Sequence, residues 1–205
     1  MLSVIESRVL GCLLEKERTV PDQYPLTLNA LVSACNQSSS REPVMHLDDH
    51  EVETALASLK SQGLVRMVHP SHGRSVTRYR QVFDESRGLD APTTALLSVL
   101  MLRGPQTVAE LRTRTERLHA FTSLGDVETC LADAAAAELV RLLERQPGHK
   151  EPRWQQLIAE EAEIVRSAMA ERNVAAGASR ADLEARVVEL EAKVARLEAA
   201  LADLL

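Results

Sequence analysis

The sequence predicts a mainly α fold with small β-hairpins, an α+β protein built from two tandem helix-and-hairpin domains and a C-terminal coiled-coil helix. Three observations predict it: a helix-plus-hairpin pattern that recurs at a fixed offset, a matching pair of helices ahead of each copy, and a leucine heptad at the end.

The recurrence is found by sliding the sequence on itself by 75 residues. Val52-Glu53-Thr54-Ala55-Leu56-Ala57 then falls on Val127-Glu128-Thr129-Cys130-Leu131-Ala132, and Leu64-Val65-Arg66 on Leu139-Val140-Arg141. Gly73 falls on Gly148, Arg78 on Arg153, Tyr79 on Trp154 and Gln81 on Gln156, giving 11 identities over the 31 positions from Val52 to Val82. A run of this kind marks two copies of one supersecondary unit.

Each element of the unit has a local cause. Ser3–Glu17 carries Val9, Leu10, Leu13 and Leu14 on one face of an amphipathic helix. The Pro21–Pro25 breakers follow, then a short helix over Leu26–Cys35. In residues 48–62, Val52, Ala55, Leu56 and Leu59 stand at helical spacing, with Asp48 or Asp49 as N-cap and Gly63 as stop signal. A strand over Leu64–Val68, a turn at Pro70–Gly73 and an extended run from Val76 to Val82 complete a hairpin. Three helices followed by a hairpin are the order of a winged helix-turn-helix. In the second copy Ala91–Leu102 and Val108–Leu118 supply the first two helices, separated by Gly104-Pro105. Thr19-Val20 matches Thr107-Val108 at an offset of 88, which assigns copy one 13 extra residues, part of them in Asn36–His46. The expected domains are therefore 1–88, with an inserted loop near 36–47, and 89–158, followed by a connector at 159–182 and a coiled coil at 183–205.

Composition narrows the function classes. The chain has 205 residues, 45% of them hydrophobic but only 2% aromatic, so its cores are Leu, Val and Ala packed from helices. Net charge is −6, of which −4 lies in residues 159–205, and each expected domain is nearly neutral at −1. A uniformly basic nucleic-acid-binding body is thereby excluded, and any such role must rest on local patches. No apolar run approaches the ~18 residues of a membrane span, and the N-terminus lacks the pattern of a secretory signal. Cys12, Cys35 and Cys130 are scattered rather than paired in Cys-x-x-Cys, as in a reduced cytoplasmic protein.

Arg8-Val9-Leu10-Gly11-Cys12-Leu13-Leu14-Glu15-Lys16, Gln23-Tyr24-Pro25-Leu26, Ala34-Cys35-Asn36-Gln37 and Arg41-Glu42-Pro43-Val44-Met45 occur in that order. Leu102-Arg103-Gly104-Pro105-Gln106-Thr107, Glu110-Leu111-Arg112, Pro147-Gly148 and Arg153 follow. Together they resemble the bacterial YceH-like family over about residues 4–158. The resemblance implies bacterial origin and a tandem winged-helix fold, and it implies no activity. Ser40 departs from it, standing where the resemblance leads one to expect Asn.

Winged helices commonly lay the third helix in the major groove and the wing along the backbone. Here the third helices present Asp49, His50, Glu53 and Thr54 in copy one, and Asp126, Glu128 and Asp133 in copy two. Acids facing phosphates are repelled, although acids also suit helix N-termini. The first hairpin differs: residues 64–82 hold Arg66, Arg74, Arg78 and Arg80 and no acid. These four, with Arg41 in the inserted loop, are the candidate nucleic-acid-binding residues. Arginines on a hairpin can bind phosphates or can equally be a solvated edge that resists aggregation. Arg41-Glu42-Pro43 can likewise touch a partner or pack Val44 and Met45 over the core.

In the tail, Leu183, Val187, Leu190, Val194, Leu197, Leu201 and Leu204 form an uninterrupted heptad seam, with leucine at every d position. Arg186 and Lys193 at g would meet Glu191 and Glu198 at e of a parallel partner, which specifies a parallel homodimer. The alternative is a helix folded back on its own body.

No phosphate-cradling glycine loop, nucleophile elbow or His-Glu-x-x-His is present, so no catalytic residue, metal site or cofactor is expected. His46 and His50, and His69 and His72, lack nearby thiols. The expected function is a non-enzymatic, DNA-binding or transcription-associated homodimer acting through the first hairpin. The alternative is an adaptor that binds another protein.

Overall fold

Helix capping fixes most element boundaries. In the computed structural model, Ser3, Asp48, Thr107 and Ser123 each close a capping box with the acid three residues on. Thr27 and Asp90 cap more simply, each accepting from a backbone amide of the first turn. The structure describes residues 1–69, 76–144 and 151–160. The chain divides into two units, Met1–Ala162 and Glu163–Leu205, and every described residue lies in the first. The expected coiled coil at 183–205 and all but the first residues of the expected connector lie outside the described residues, as does Arg74.

The architecture is mixed α+β, with seven α-helices and two small antiparallel sheets among the described residues. The helices of the first copy are α1 (Val4–Thr19), α2 (Leu28–Cys35) and α3 (Asp49–Ser61). Strands β1 (Leu26–Thr27), β2 (Val65–Val68) and β3 (Arg78–Gln81) form one sheet in the order β1-β3-β2. After the short helix α4 (Phe83–Arg87), the second copy provides α5 (Ala91–Arg103), α6 (Val108–Thr115) and α7 (Leu124–Ala136). A two-stranded sheet follows, formed by β4 (Val140–Leu142) and β5 (Trp154–Gln156).

The repeat extends to single hydrogen bonds. The amide of Leu64 donates to Leu59 and that of Leu139 to Ala134, both at 2.9 Å. Gln81 Oε1 accepts from the Phe83 amide, and its counterpart Gln156 Oε1 from the Ile158 amide, both at 2.7 Å. Tyr79 pairs with Leu26 of β1, and Trp154 with Gln106 through an isolated bridge. Thr27 and Thr107, the caps of α2 and α6, are thus the true counterparts, at an offset of 80. Thr19-Val20, expected to match Thr107-Val108, instead ends α1. The excess in copy one is therefore divided between the approach to α2 and the segment 36–47, which answers to 116–122 in copy two.

Two further corrections follow from packing. α1, expected to be amphipathic, is buried on every side from Glu6 to Leu14. α5 is buried continuously from Thr94 to Leu102. The two helices lie against one another: a Cβ on Gly11 would meet Leu102 and Met101 at 3.1 Å, and Ser98 Oγ donates to the Gly11 carbonyl at 3.3 Å. α5 is apolar through this stretch apart from Thr94 and Ser98, as an enclosed helix should be, whereas α1 buries Glu6, Ser7 and Arg8 and must supply partners for them. The ends of the unit are also tied, since Leu2 exchanges backbone hydrogen bonds with Ile158 and Glu160 at 2.9 Å.

Each third helix ends on a residue in the left-handed region, Gly63 (φ 71°) in copy one and Glu138 (φ 56°) in copy two. Glycine adopts that conformation without a Cβ clash, whereas glutamate does so at a cost. Glu138→Gly is expected to stabilise the protein by about 1 kcal/mol. A denaturant midpoint that does not rise would contradict this account of the helix end.

Candidate nucleic-acid interface

Of the five arginines singled out from sequence, the four among the described residues have four different environments. Arg41 is not presented to any partner. Its side chain is fully buried, with Nη1 and Nη2 gripping both oxygens of Glu15 at 3.1 and 2.6 Å. Nε donates to the Ala34 carbonyl at 3.0 Å and Nη2 to Gln37 Oε1 at 2.7 Å. The inserted loop is thus held inward by its own cation. Val44 is 43% exposed while Met45 is buried, so only one of the two residues expected over the core reaches it.

Arg78 lies on β3 and reaches back across the sheet, donating through Nη1 to the Pro25 carbonyl at 2.8 Å and the Gln23 carbonyl at 3.3 Å. Its counterpart Arg153 donates to the Pro105 carbonyl at 2.9 Å. The equivalent bond in both copies marks this arginine as a staple between the hairpin and the segment entering the second helix. Arg153 is further engaged by Glu110 at 2.9 Å.

Arg66 and Arg80 stand directly opposite each other on β2 and β3. Side chains so placed have Cβ atoms about 4.5–5.5 Å apart, and like charges there are destabilising. Arg80 is ion-paired with Glu85 of α4, while Arg66 is exposed and makes no hydrogen bond or ion pair among the described residues. In copy two the same two positions hold Arg141 and Gln155, and Arg141 Nε donates to Gln155 Oε1 at 3.0 Å. Copy two therefore joins the two side chains directly, whereas copy one sets two like charges opposite each other and draws a partner for Arg80 from α4. Arg74 falls outside the described residues.

Sequence reasoning missed Arg8, the largest fully buried side chain. It leaves α1 to donate to the carbonyls of Cys35 and Pro43, so both ends of the 35–43 segment hang on one guanidinium. Burial holds its pKa below the ordinary arginine value. Its position within the Arg8–Leu14 run, on the face away from Leu10 and Leu14, gave no signal that anything would cover it. Glu85 was missed as well, because only the turn at Val82 brings α4 back to the hairpin.

The third helices place their acids in solvent: Asp49, Glu51 and Glu53 on α3, and Asp126, Glu128 and Asp133 on α7 are exposed. Cys12 and Cys35 are buried and Cys130 half-buried, all as free thiols. Among the described residues, no group of three or more His, Cys, Asp or Glu side chains is placed to hold a metal. No described helix is long and apolar enough to cross a membrane.

Residues 2–149 match the family model described as "Protein of unknown function, DUF480". The chain belongs to the DUF480 (UPF0502) family of bacterial proteins. Among its relatives, a UPF0502 protein of Solibacter usitatus is 47% identical over 191 residues, covering 92% of each chain. One from Dechloromonas aromatica is 49% identical over 166 residues, 80% of this chain and 76% of its own. One from Geotalea daltonii is 50% identical over 162 residues, 78% and 73% respectively. This family context agrees with the YceH-like resemblance, and the family description carries no activity.

The Arg41–Glu15 pair has a pH signature. Burial pushes the Glu15 carboxyl up, but Arg41's hydrogen bonds and charge, helped by Lys16, outweigh it and leave the pKa below 4.5. A carboxyl depressed on folding contributes stability above its unfolded pKa and loses it as pH falls through the lower folded value. Arg41→Ala strands Glu15 and is expected to cost about 3 kcal/mol at pH 7. The gap between variant and wild type should narrow as pH falls, because burial without Arg41 raises the stranded carboxyl's pKa and lets it take up a proton before the unfolded chain does. Urea melts at neutral and acid pH check this, and an undiminished gap in acid would show that Arg41 acts only by packing.

Proposed function

We propose that this chain is a non-enzymatic, tandem winged-helix protein that binds duplex DNA as a homodimer. Contacts to the phosphate backbone run through the first hairpin, and the third helices do not read bases. In each copy the order of three helices and a hairpin, with the hairpin stapled to the second helix, supports the winged-helix reading. The single observation that carries DNA binding is the cross-strand pair of Arg66 and Arg80, of which only Arg80 has an acidic partner among the described residues, set against Arg141 and Gln155 at the same positions of copy two. Like charges at directly opposed strand positions disfavour each other, whereas a phosphate bound by both arginines would turn repulsion into charge-assisted contacts. Arg41 leaves the candidate set because its buried donors serve the fold, and Arg78, although exposed, commits Nη1 to the Gln23 and Pro25 carbonyls.

The exposed acids of α3 and α7 favour a second reading, an adaptor whose third helices meet the basic surface of another protein. The two readings part on one experiment. Wild-type protein is expected to bind a short labelled duplex in fluorescence anisotropy. Arg66→Glu combined with Arg80→Glu should weaken binding and flatten the slope of log K against log salt by about 2, roughly 0.9 per lost contact. Absence of wild-type binding at micromolar protein, or an unchanged variant, overturns the DNA reading and leaves the adaptor.

Dimerisation through the heptad seam is a separate element of the proposal. Leu190→Asp with Val194→Asp places charges at consecutive d and a positions of the seam and is expected to convert a dimer to a monomer in sedimentation equilibrium. A wild-type monomer at the same concentration would remove the homodimer.

A further inference from the structure

On the DNA reading, the hairpin has an internal competitor. We propose that Glu85 is a built-in stand-in for a DNA phosphate: its carboxylate occupies the anion position at Arg80, and a backbone phosphodiester displaces it to lie between Arg80 and Arg66.

Four features of the hairpin point this way. Arg80 and Arg66 are directly opposed, so an anion serving one lies within reach of the other. Among the described residues, the only acid paired with either is Glu85, and it engages Arg80 alone, through one carboxylate oxygen and one guanidinium nitrogen. Nε of Arg80 is enclosed without an acceptor, so the guanidinium is incompletely satisfied by its present partner. The Glu85 side chain is 56% exposed and that of Arg80 33%, so the pair is open to an incoming anion. An ion pair in so wet a setting contributes little to the fold and is easily exchanged.

Glu85 also sits where exchange is simple. It belongs to the five-residue helix α4, whose first turn is held by other groups: Gln81 Oε1 accepts from the Phe83 amide, and Asp84 Oδ1 accepts from Gln81 Nε2 at 3.0 Å. Swinging the Glu85 side chain away therefore leaves the anchoring of α4 intact. The carboxylate lowers the affinity of the hairpin for phosphate and makes occupancy depend on two phosphate contacts rather than on one free cation.

The experiment is a double-mutant cycle on the full-length chain, read by anisotropy of a labelled duplex at fixed moderate salt. Glu85→Gln is expected to tighten binding about fivefold, the Coulomb effect of one nearby charge in water. Glu116→Gln, the same charge change on the far copy, should tighten it far less. In an Arg80→Gln background, which copies the glutamine that copy two carries at this position, Glu85→Gln should change nothing. Tightening by Glu85→Gln that vanishes with Arg80→Gln supports the proposal, as does a duplex bound by Glu85→Gln alone and not by wild type. Tightening that equals the Glu116→Gln control, or persists without Arg80, overturns it while leaving DNA binding standing. Binding by neither wild type nor Glu85→Gln removes the DNA reading and the stand-in together. Thermal melts of all variants check that each remains folded.

Discussion

The close approach of α1 and α5 at Gly11 is the constraint on which the rest depends. Each copy could be drawn as a separate three-helix body with its own hairpin, but neither first helix has a solvent face. α1 is covered by α2 and α3 on one side and by α5 on the other, and a residue with a side chain at Gly11 would push into Leu102 and Met101. Interiors packed to crystal-like density transmit such a displacement rather than absorb it. The Leu2 pairing with residues 158 and 160 closes the same body at its edge. The two hairpins are consequently carried on one frame, and their relative placement is set by a helix–helix contact rather than by a linker.

That constraint also explains the two buried arginines. With α1 enclosed, the polar positions on its far side cannot reach water and must find partners in the inserted segment. Arg8 supplies donors to the Cys35 and Pro43 carbonyls, and Glu15 accepts a bidentate grip from Arg41. Segment 36–47 satisfies polar groups that the packing of α1 against α5 removed from solvent. It continues onto α5 itself, where the Glu42 amide donates to the Leu102 carbonyl at 2.8 Å and Arg103 donates to Ser40. Ser40 holds a positive φ of 62° there, a conformation that asparagine tolerates better than serine.

Legibility in the sequence followed the range of the interaction. The first copy's third helix with its Asp48 cap, Gly63 as a stop and the hairpin strands depend on neighbours close in sequence and are readable, whereas sequence reasoning missed the Ser123 cap of α7. The repeat between 52–82 and 127–157 was readable because it kept identical residues at hydrogen-bonding positions such as Gln81 and Gln156. Short identity misled where geometry had no voice: Thr19-Val20 looks like Thr107-Val108, yet one ends a helix and the other caps one. Arg41 was misread for a related reason. A charged residue in a Pro-containing loop is ordinarily solvated, and only the placement of Glu15, 26 residues away in the chain, reverses that expectation. Arg78 could have been read as structural from the repeat alone, since Arg153 occupies the same place in a hairpin that was not considered a candidate.

What remains after the shared scaffold is subtracted is the difference between the copies, and that is where function is best sought. Gln81 and Gln156, Arg78 and Arg153, and Tyr79 and Trp154 do the same work twice, so their chemistry belongs to the fold. Arg66 and Arg80 against Arg141 and Gln155 do not. A scaffold that tolerates glutamine opposite arginine does not require a second arginine for the strands to pair, and the like charge that it sets beside Arg66 is offset at Arg80 by Glu85. A choice made in one copy and avoided in the other points to a demand from outside the fold. Glu85 is common to both copies: at the same offset it falls on Glu160, so the acid is kept where glutamine replaces the arginine, and the arginine is what differs.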